Sequence, residues 1–201
     1  MIKKSQNKYV FKIITLSMVF GFVACGEDYV PKPKAYLRLE YPKADYTKSQ
    51  LDLPFSFEMN KLATKIKSKN LSGTTTSYGL DIEYPTLKGT IFLTYKAIDN
   101  KKENFMLFLK DAENLTQKHM IKADEIPVTV YENKEKRVYG LFSEVKGDVA
   151  SPAQFYITDS INHFLTGSLY FYAKPNYDSI LPAANYLQKD MKHIMETVEW
   201  K

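Results

Sequence analysis

The chain has 201 residues, 44% hydrophobic, 25% charged and 14% aromatic, a balance that excludes disordered, collagen-like and disulfide-rich classes. One cysteine, Cys25, and three widely separated histidines, His119, His163 and His193, leave almost no material for a disulfide, a zinc site or a Cys/His nucleophile. The formal charge of +5 owes most to Lys3, Lys4, Lys8 and Lys12; from Cys25 onward 24 basic residues face 23 acidic ones, and without a long like-charge run this argues against a nucleic-acid partner.

The basic start leads into Ile13 to Ala24, 12 apolar or small residues. That is too short for the roughly 20 residues of a spanning helix, and it predicts a signal peptide over 1–24. Phe22-Val23-Ala24-Cys25-Gly26 resembles a bacterial lipobox, with Phe22 where leucine is usual. On that reading Cys25 carries the lipid, palmitate included, and becomes the new N-terminus. The alternative is an ordinary secretory peptide cleaved near Ala24, leaving a free cysteine. A multiply acylated cysteine is a firm anchor, because each buried methylene contributes about 0.8 kcal/mol.

Residues 25–54 read as a lipid-anchored tether rich in proline and tyrosine. Pro31, Pro33, Pro42 and Pro54 stiffen it toward extended conformations. Tyr29, Tyr36, Tyr41 and Tyr46 are unusual in a solvated spacer, and Leu37/Leu39/Tyr41 alternate as a strand does. This segment either packs on its own domain or offers a strip to a partner.

Residues 55–201 are expected to form a single α+β domain. Phe55 to Met59 alternates as a short strand, and a charged loop rich in serine and threonine follows. Leu80, Ile82 and Tyr84 alternate with acids, and Thr90 to Ile98 is apolar enough for an inner strand, so the two pair as a hairpin across Pro85 to Gly89. Asn100 with Glu103 resembles a capping box opening an amphipathic helix to about Lys118, whose stripe is Phe105, Phe108, Leu109, Ala112 and Leu115. Four strands follow with short turns: Pro127 to Glu132, Arg137 to Lys146, Ala153 to Thr158 and His163 to Ala173. A last helix has Pro182 near its first turn and Ala184, Leu187, Met191, Ile194, Met195 and Val198 on one face, with Trp200 covering the end. The order predicts a mainly antiparallel sheet with two amphipathic helices packed on it.

No dinucleotide, P-loop, zincin or nucleophile-elbow motif is present. His119, close to Asp124 and Glu125, is the best isolated candidate for acid/base or metal chemistry, and otherwise a helix C-terminal histidine. Asp190, His193 and Glu196 share a helix flank, a spacing common on solvated faces. His163 opens a strand after a turn, as a surface histidine can. No catalytic residue, metal site or cofactor is assigned.

The chain resembles the gliding-motility lipoprotein family GldD of the Bacteroidetes. The likeness is carried by YVPKPKAYLRLEYP after the lipobox, IEYPTLKGTIFLTYK, HMIKADEI, the long stretch from Tyr131 to Phe171, and the closing segment from Pro175. It implies a non-catalytic cell-envelope lipoprotein required for gliding motility and the associated type IX secretion machinery, facing periplasm or cell surface. It carries over Cys25 as the lipid attachment residue and suggests GldE, an inner-membrane protein, as a partner. Glu27 and Asp28 resemble a short acidic surface-export tract, and Asp159-Ser160-Ile161 and Asp178-Ser179-Ile180 resemble O-glycosylation signals at Ser160 and Ser179, although Asp-Ser is also ordinary turn chemistry. Assembly through a tyrosine-rich surface is one reading of the domain; an envelope ligand-binding lipoprotein or hydrolase with a pocket on the sheet is the other.

Overall fold

Leu80, Ile82 and Tyr84 alternate on one strand and Ile91, Leu93 and Tyr95 on the next, and all six side chains are buried. In the computed structural model, which describes residues 41–118, 123–172 and 177–201, these strands are β5 (Ser77–Tyr84) and β6 (Gly89–Ala97). They pair antiparallel across the short 3-10 turn Pro85–Leu87. The meander that follows the first helix is β7 (Val128–Asn133), β8 (Val138–Glu144), β9 (Ala153–Thr158) and β10 (His163–Phe171). Its last strand returns to lie against β6 over nine residue pairs. With β4 (Lys65–Asn70) outside β5, the result is one antiparallel seven-stranded sheet of order β4-β5-β6-β10-β9-β8-β7.

The two faces are covered unequally. Helix α2 (Tyr177–Thr197) lays Ala184, Leu187, Met191, Ile194 and Met195 on one face. There Leu187, Met191, Ile194 and Met195 join the inward side chains of β5, β6, β8, β9 and β10 in the main core. Helix α1 (Lys102–Gln117) covers the middle of the other face with Phe108 and Ala112, against a small cluster of Ile98 and Phe164. Tyr156 stacks on Phe164 there, ring centroids 5.6 Å apart and planes 8° from parallel. Close packing at the centre excludes a side chain at Gly167, where a Cβ would come within 2.2 Å of the Phe155 ring opposite.

Two small ladders flank α2. β1 (Tyr46–Lys48) pairs with β3 (Glu58–Asn60), and β2 (Phe55–Ser56) pairs with β11 (Glu199–Trp200). Residues 45–54, the C-terminal part of the proline- and tyrosine-rich stretch, are therefore integrated with the domain. Lys61 N–H donates to the Asp45 carbonyl, and Ser49 and Phe57 exchange bonds through backbone and hydroxyl. The signal peptide over 1–24, Cys25 and the tether as far as residue 40 lie outside the described residues.

The sheet, two helices and four-strand meander are as the sequence predicts. Three details differ. The stretch read as a serine- and threonine-rich loop contains β4, whose only apolar residue is Ile66. Its pairing is supported by Lys67 against Glu83 and Lys69 against Asp81 on the neighbouring strand. The Asn100/Glu103 capping box does not form: Asp99 and Asn100 are left-handed (φ 56° and 52°), the N-cap is Lys101, and Asn104 instead donates to the Ile98 carbonyl. Helix α2 starts at Tyr177, so Pro182 lies inside it and removes one helical N–H donor.

The unequal faces give a graded response. Leu187→Ala, in the main core, is expected to lower unfolding free energy by about 2–5 kcal/mol, and Leu115→Ala, on the half-buried rim of α1, by distinctly less. Urea titration of both variants checks this, and equal losses would show that α1 is as deeply integrated as α2.

Candidate functional site

One acidic side chain of α2 is both fully buried and hydrogen-bonded to two other elements. Asp190 falls three residues after Leu187 and four before Ile194, within the apolar stripe, and its residue is 1% exposed. Burial raises its pKa, and hydrogen bonds from neighbours work against that rise. Tyr46 donates its hydroxyl to Oδ1 at 2.8 Å, and the Asn60 amide reaches Oδ1 and Oδ2 at 3.2 and 3.0 Å. The same amide lies 3.0 Å from the Tyr186 hydroxyl. The buried Tyr84 hydroxyl is close enough to influence the carboxylate but is outside ordinary hydrogen-bond geometry. Burial and then the carboxylate hold the Tyr46 and Tyr84 phenols well above the usual tyrosine range.

His193, one turn on, stacks on Tyr46 at 3.6 Å between ring centroids and pairs through Nε2 with Glu58 at 2.9 Å. The flank read from sequence as a solvated face is thus, at Asp190 and His193, a lock between α2 and strands β1 and β3. Glu196, by contrast, is exposed. Tyr41 adds a tilted ring contact to Tyr186.

A second cluster sits at the β9–β10 turn, where a cleft of about 370 Å³ is bordered by Arg137, Asp159, His163 and Trp200. Its groups are committed to building the turn. Asp159 Oδ1 accepts the N–H groups of Ile161, Asn162 and His163 at 3.0, 2.8 and 2.8 Å. Arg137 approaches the other oxygen at 3.9 Å. His163 Nδ1 is 2.9 Å from the Tyr95 hydroxyl, and its ring stacks on Trp200 at 5.0 Å and 4°. His163 is therefore half-buried, unlike the surface histidine predicted, and burial lowers its pKa. Burial likewise pushes the Tyr95 phenol up to about 12. Ser160 is exposed at the tip of this turn with φ 67°.

Grooves run along both sides of α1. The side toward β6 is bordered by Thr94, Lys96, Asp111 and Phe164. Toward β8 a pocket of about 200 Å³ lies under Ala112 and Thr116, between Val128, Leu141 and Gln154. Gln154 is 3% exposed; its Oε1 accepts the Thr116 hydroxyl at 3.0 Å, and its Nε2 has no protein acceptor. A shallower groove continues along Phe105, Leu109, Val130 and Leu141. The exposed large apolar side chains include Met106, Leu107, Val128 and Val130, with Tyr172 an exposed aromatic. Of the tyrosines, Tyr41, Tyr46, Tyr84, Tyr95 and Tyr186 are engaged in packing, while Tyr29 and Tyr36 lie outside the described residues.

Among the described residues no group of three histidine, cysteine or acidic side chains converges as a metal site, and no helix is long and apolar enough to cross a membrane. Cys25, His119 and the Ser179 side chain lie outside what is described. The polar lock was missed by sequence reasoning because its members are more than 120 positions apart. The available signal was an aspartate in the middle of an apolar helix stripe.

A family model described as gliding motility lipoprotein GldD matches residues 26–200. No curated protein and no solved structure matches the chain.

Because folding raises the pKa of Asp190 above its ordinary value of 3.8, the native state keeps this proton to higher pH than the unfolded chain. Its contribution to stability is fully present below 3.8 and is lost as pH rises through the folded value. Asp190→Asn should remove that descending component from the pH dependence of urea unfolding; an unchanged difference curve would place it on another group. At neutral pH Tyr46→Phe, which takes one donor from a buried carboxylate, is expected to cost about 1.5–3 kcal/mol.

Proposed function

This chain belongs to the gliding motility lipoprotein GldD family, and we propose that it is a non-catalytic, membrane-tethered part of the gliding apparatus acting through protein contacts. We extend that role to the associated type IX secretion machinery. The family match carries the reading. A lipoprotein family implies attachment to a membrane of the cell envelope, and Cys25, at the end of the lipobox-like stretch, is the residue to carry the lipid. The domain then faces the periplasm or the cell surface, with other gliding and secretion proteins as partners, GldE among them. Ser160, exposed on a turn, suits an O-glycan acceptor, and Ser179 is the second such signal.

Two observations support contact over catalysis. Asp190, His193, Asp159 and His163 are occupied in holding strands, helix and turn together, and the exposed large apolar side chains are aliphatic apart from Tyr172. One observation favours the other reading, an envelope ligand-binding lipoprotein: the apolar pocket under α1 has in its wall the Gln154 amide, whose Nε2 has no protein acceptor.

Deletion in the native organism, scoring cell movement and cargo export together, separates the two. Loss of both, rescued by the wild-type chain and not by Cys25→Ala, is the expected result. Normal movement and export would discard the assembly role and direct attention to the Gln154 pocket. Normal membrane retention and lipid labelling of Cys25→Ala would remove the anchor assignment.

A further inference from the structure

The sheet ends in two edges of opposite character. At one, β4 carries Lys65, Lys67 and Lys69 in six residues, the kind of charge that discourages strand addition. At the other, β7 reads Val128-Thr129-Val130-Tyr131-Glu132-Asn133 with no lysine or proline, and Val128 and Val130 are 52% and 75% exposed. Among the described residues no strand lies beyond it.

The register shows which backbone groups face outward. Glu144 N–H donates to the Pro127 carbonyl, and Val128 lies opposite Ser143. In an antiparallel ladder this turns Thr129 and Tyr131 toward β8 and leaves the N–H and C=O groups of Val128, Val130 and Glu132 directed away from the sheet. Pro127 does not blunt this edge, because the donor it lacks would have faced β8. An open row of alternating donors and acceptors is matched by an extended backbone.

The flanking side chains narrow the choice. Beside the edge the groove is apolar, with Leu109, Val130 and Leu141, and the charged side chains bordering it and the adjoining pocket are Glu113 and Glu132, the latter 3.6 Å from the exposed Lys134 ammonium. Resting on the protein-contact reading above, we propose that β7 accepts an eighth strand from another envelope protein. That segment is extended, alternates apolar residues toward the groove, and carries lysine or arginine to meet Glu113 and to share Glu132 with Lys134. A second copy of this chain is a poorer occupant, because antiparallel pairing of β7 with itself about Val130 sets Glu132 of one copy opposite Val128 of the other, on the Glu113 side of the groove, and the nearest basic residue, Lys134, already pairs with Glu132.

Val130→Pro removes an outward donor while sparing the β8 ladder, and Val130→Lys introduces the edge charge that β4 already has. Each full-length variant is expressed in the deletion strain, with Lys65→Val at the opposite edge as control. The expected result is melting temperature and membrane retention like wild type, at least a tenfold loss of rescued movement for both Val130 variants, and full rescue by Lys65→Val. In the purified wild-type chain, hydrogen exchange should be fast at Val128, Val130 and Glu132 and slow at Thr129 and Tyr131. Full rescue by folded Val130→Pro and Val130→Lys, in a background where deletion abolishes movement, overturns the edge proposal alone; a deletion strain that moves normally overturns the functional reading beneath it. Protection of the outward amides in a monomer, or a wild-type dimer that Val130→Lys converts to monomer, also overturns it, the latter in favour of a second copy.

Discussion

A carboxylate enclosed beneath a helix must recover from the protein the hydrogen bonds it would have had from water, and the position of Asp190 on α2 makes that requirement the organising constraint of this domain. The donors come from outside the helix: a phenol on β1 and an amide on β3. Satisfying the aspartate therefore fixes the β1–β3 ladder against the helix, with Tyr84 of β5 on the sheet side of the same group. The stacking of His193 on Tyr46 and its pairing with Glu58 draw the same two strands to the next turn of α2. One charged atom group thus ties together the layer above the helix, the helix and the sheet below it. Residues 45–60 thereby enter the fold as a structural component.

The rest of the molecule divides by contrast with that packed side. On the α2 face, apolar side chains from five sheet strands and a 21-residue helix form one continuous core. On the α1 face, a 16-residue helix covers only the central strands and leaves grooves on either side. The sheet edges differ in the same sense. β4 is rich in lysine and ion-paired to β5, whereas β7 is aliphatic and uncharged until Glu132. Stability resides on one side, and the surface available for contact on the other.

How far the sequence reveals this depends on the range of the interactions. The hairpin of β5 and β6 and the α2 stripe are written in local periodicity, and both fold as the alternation and the 3.6-residue spacing dictate. β4 is hidden because Lys-Ile-Lys-Ser-Lys-Asn has a single apolar residue, and what makes it a strand is the acidic side chains on its neighbour. The Asn100 cap is misread because its side-chain chemistry suits a left-handed corner as well as an N-cap, and the tight connection from β6 demands the corner. The polar lock has no local signature beyond a misplaced aspartate, since its partners come from opposite ends of the domain. His163 is similar: only the fold brings Tyr95 and Trp200 to it.

Trp200 is the sole tryptophan of the chain and lies nearly parallel to the His163 ring. Indole emission is sensitive to an imidazole held against it, and an imidazolium quenches it far more strongly than the neutral ring does. The intrinsic fluorescence of this protein is therefore a built-in optical reporter of one histidine, at the corner where the C-terminal strand closes on the β9–β10 turn. It reads the integrity of that corner without any label.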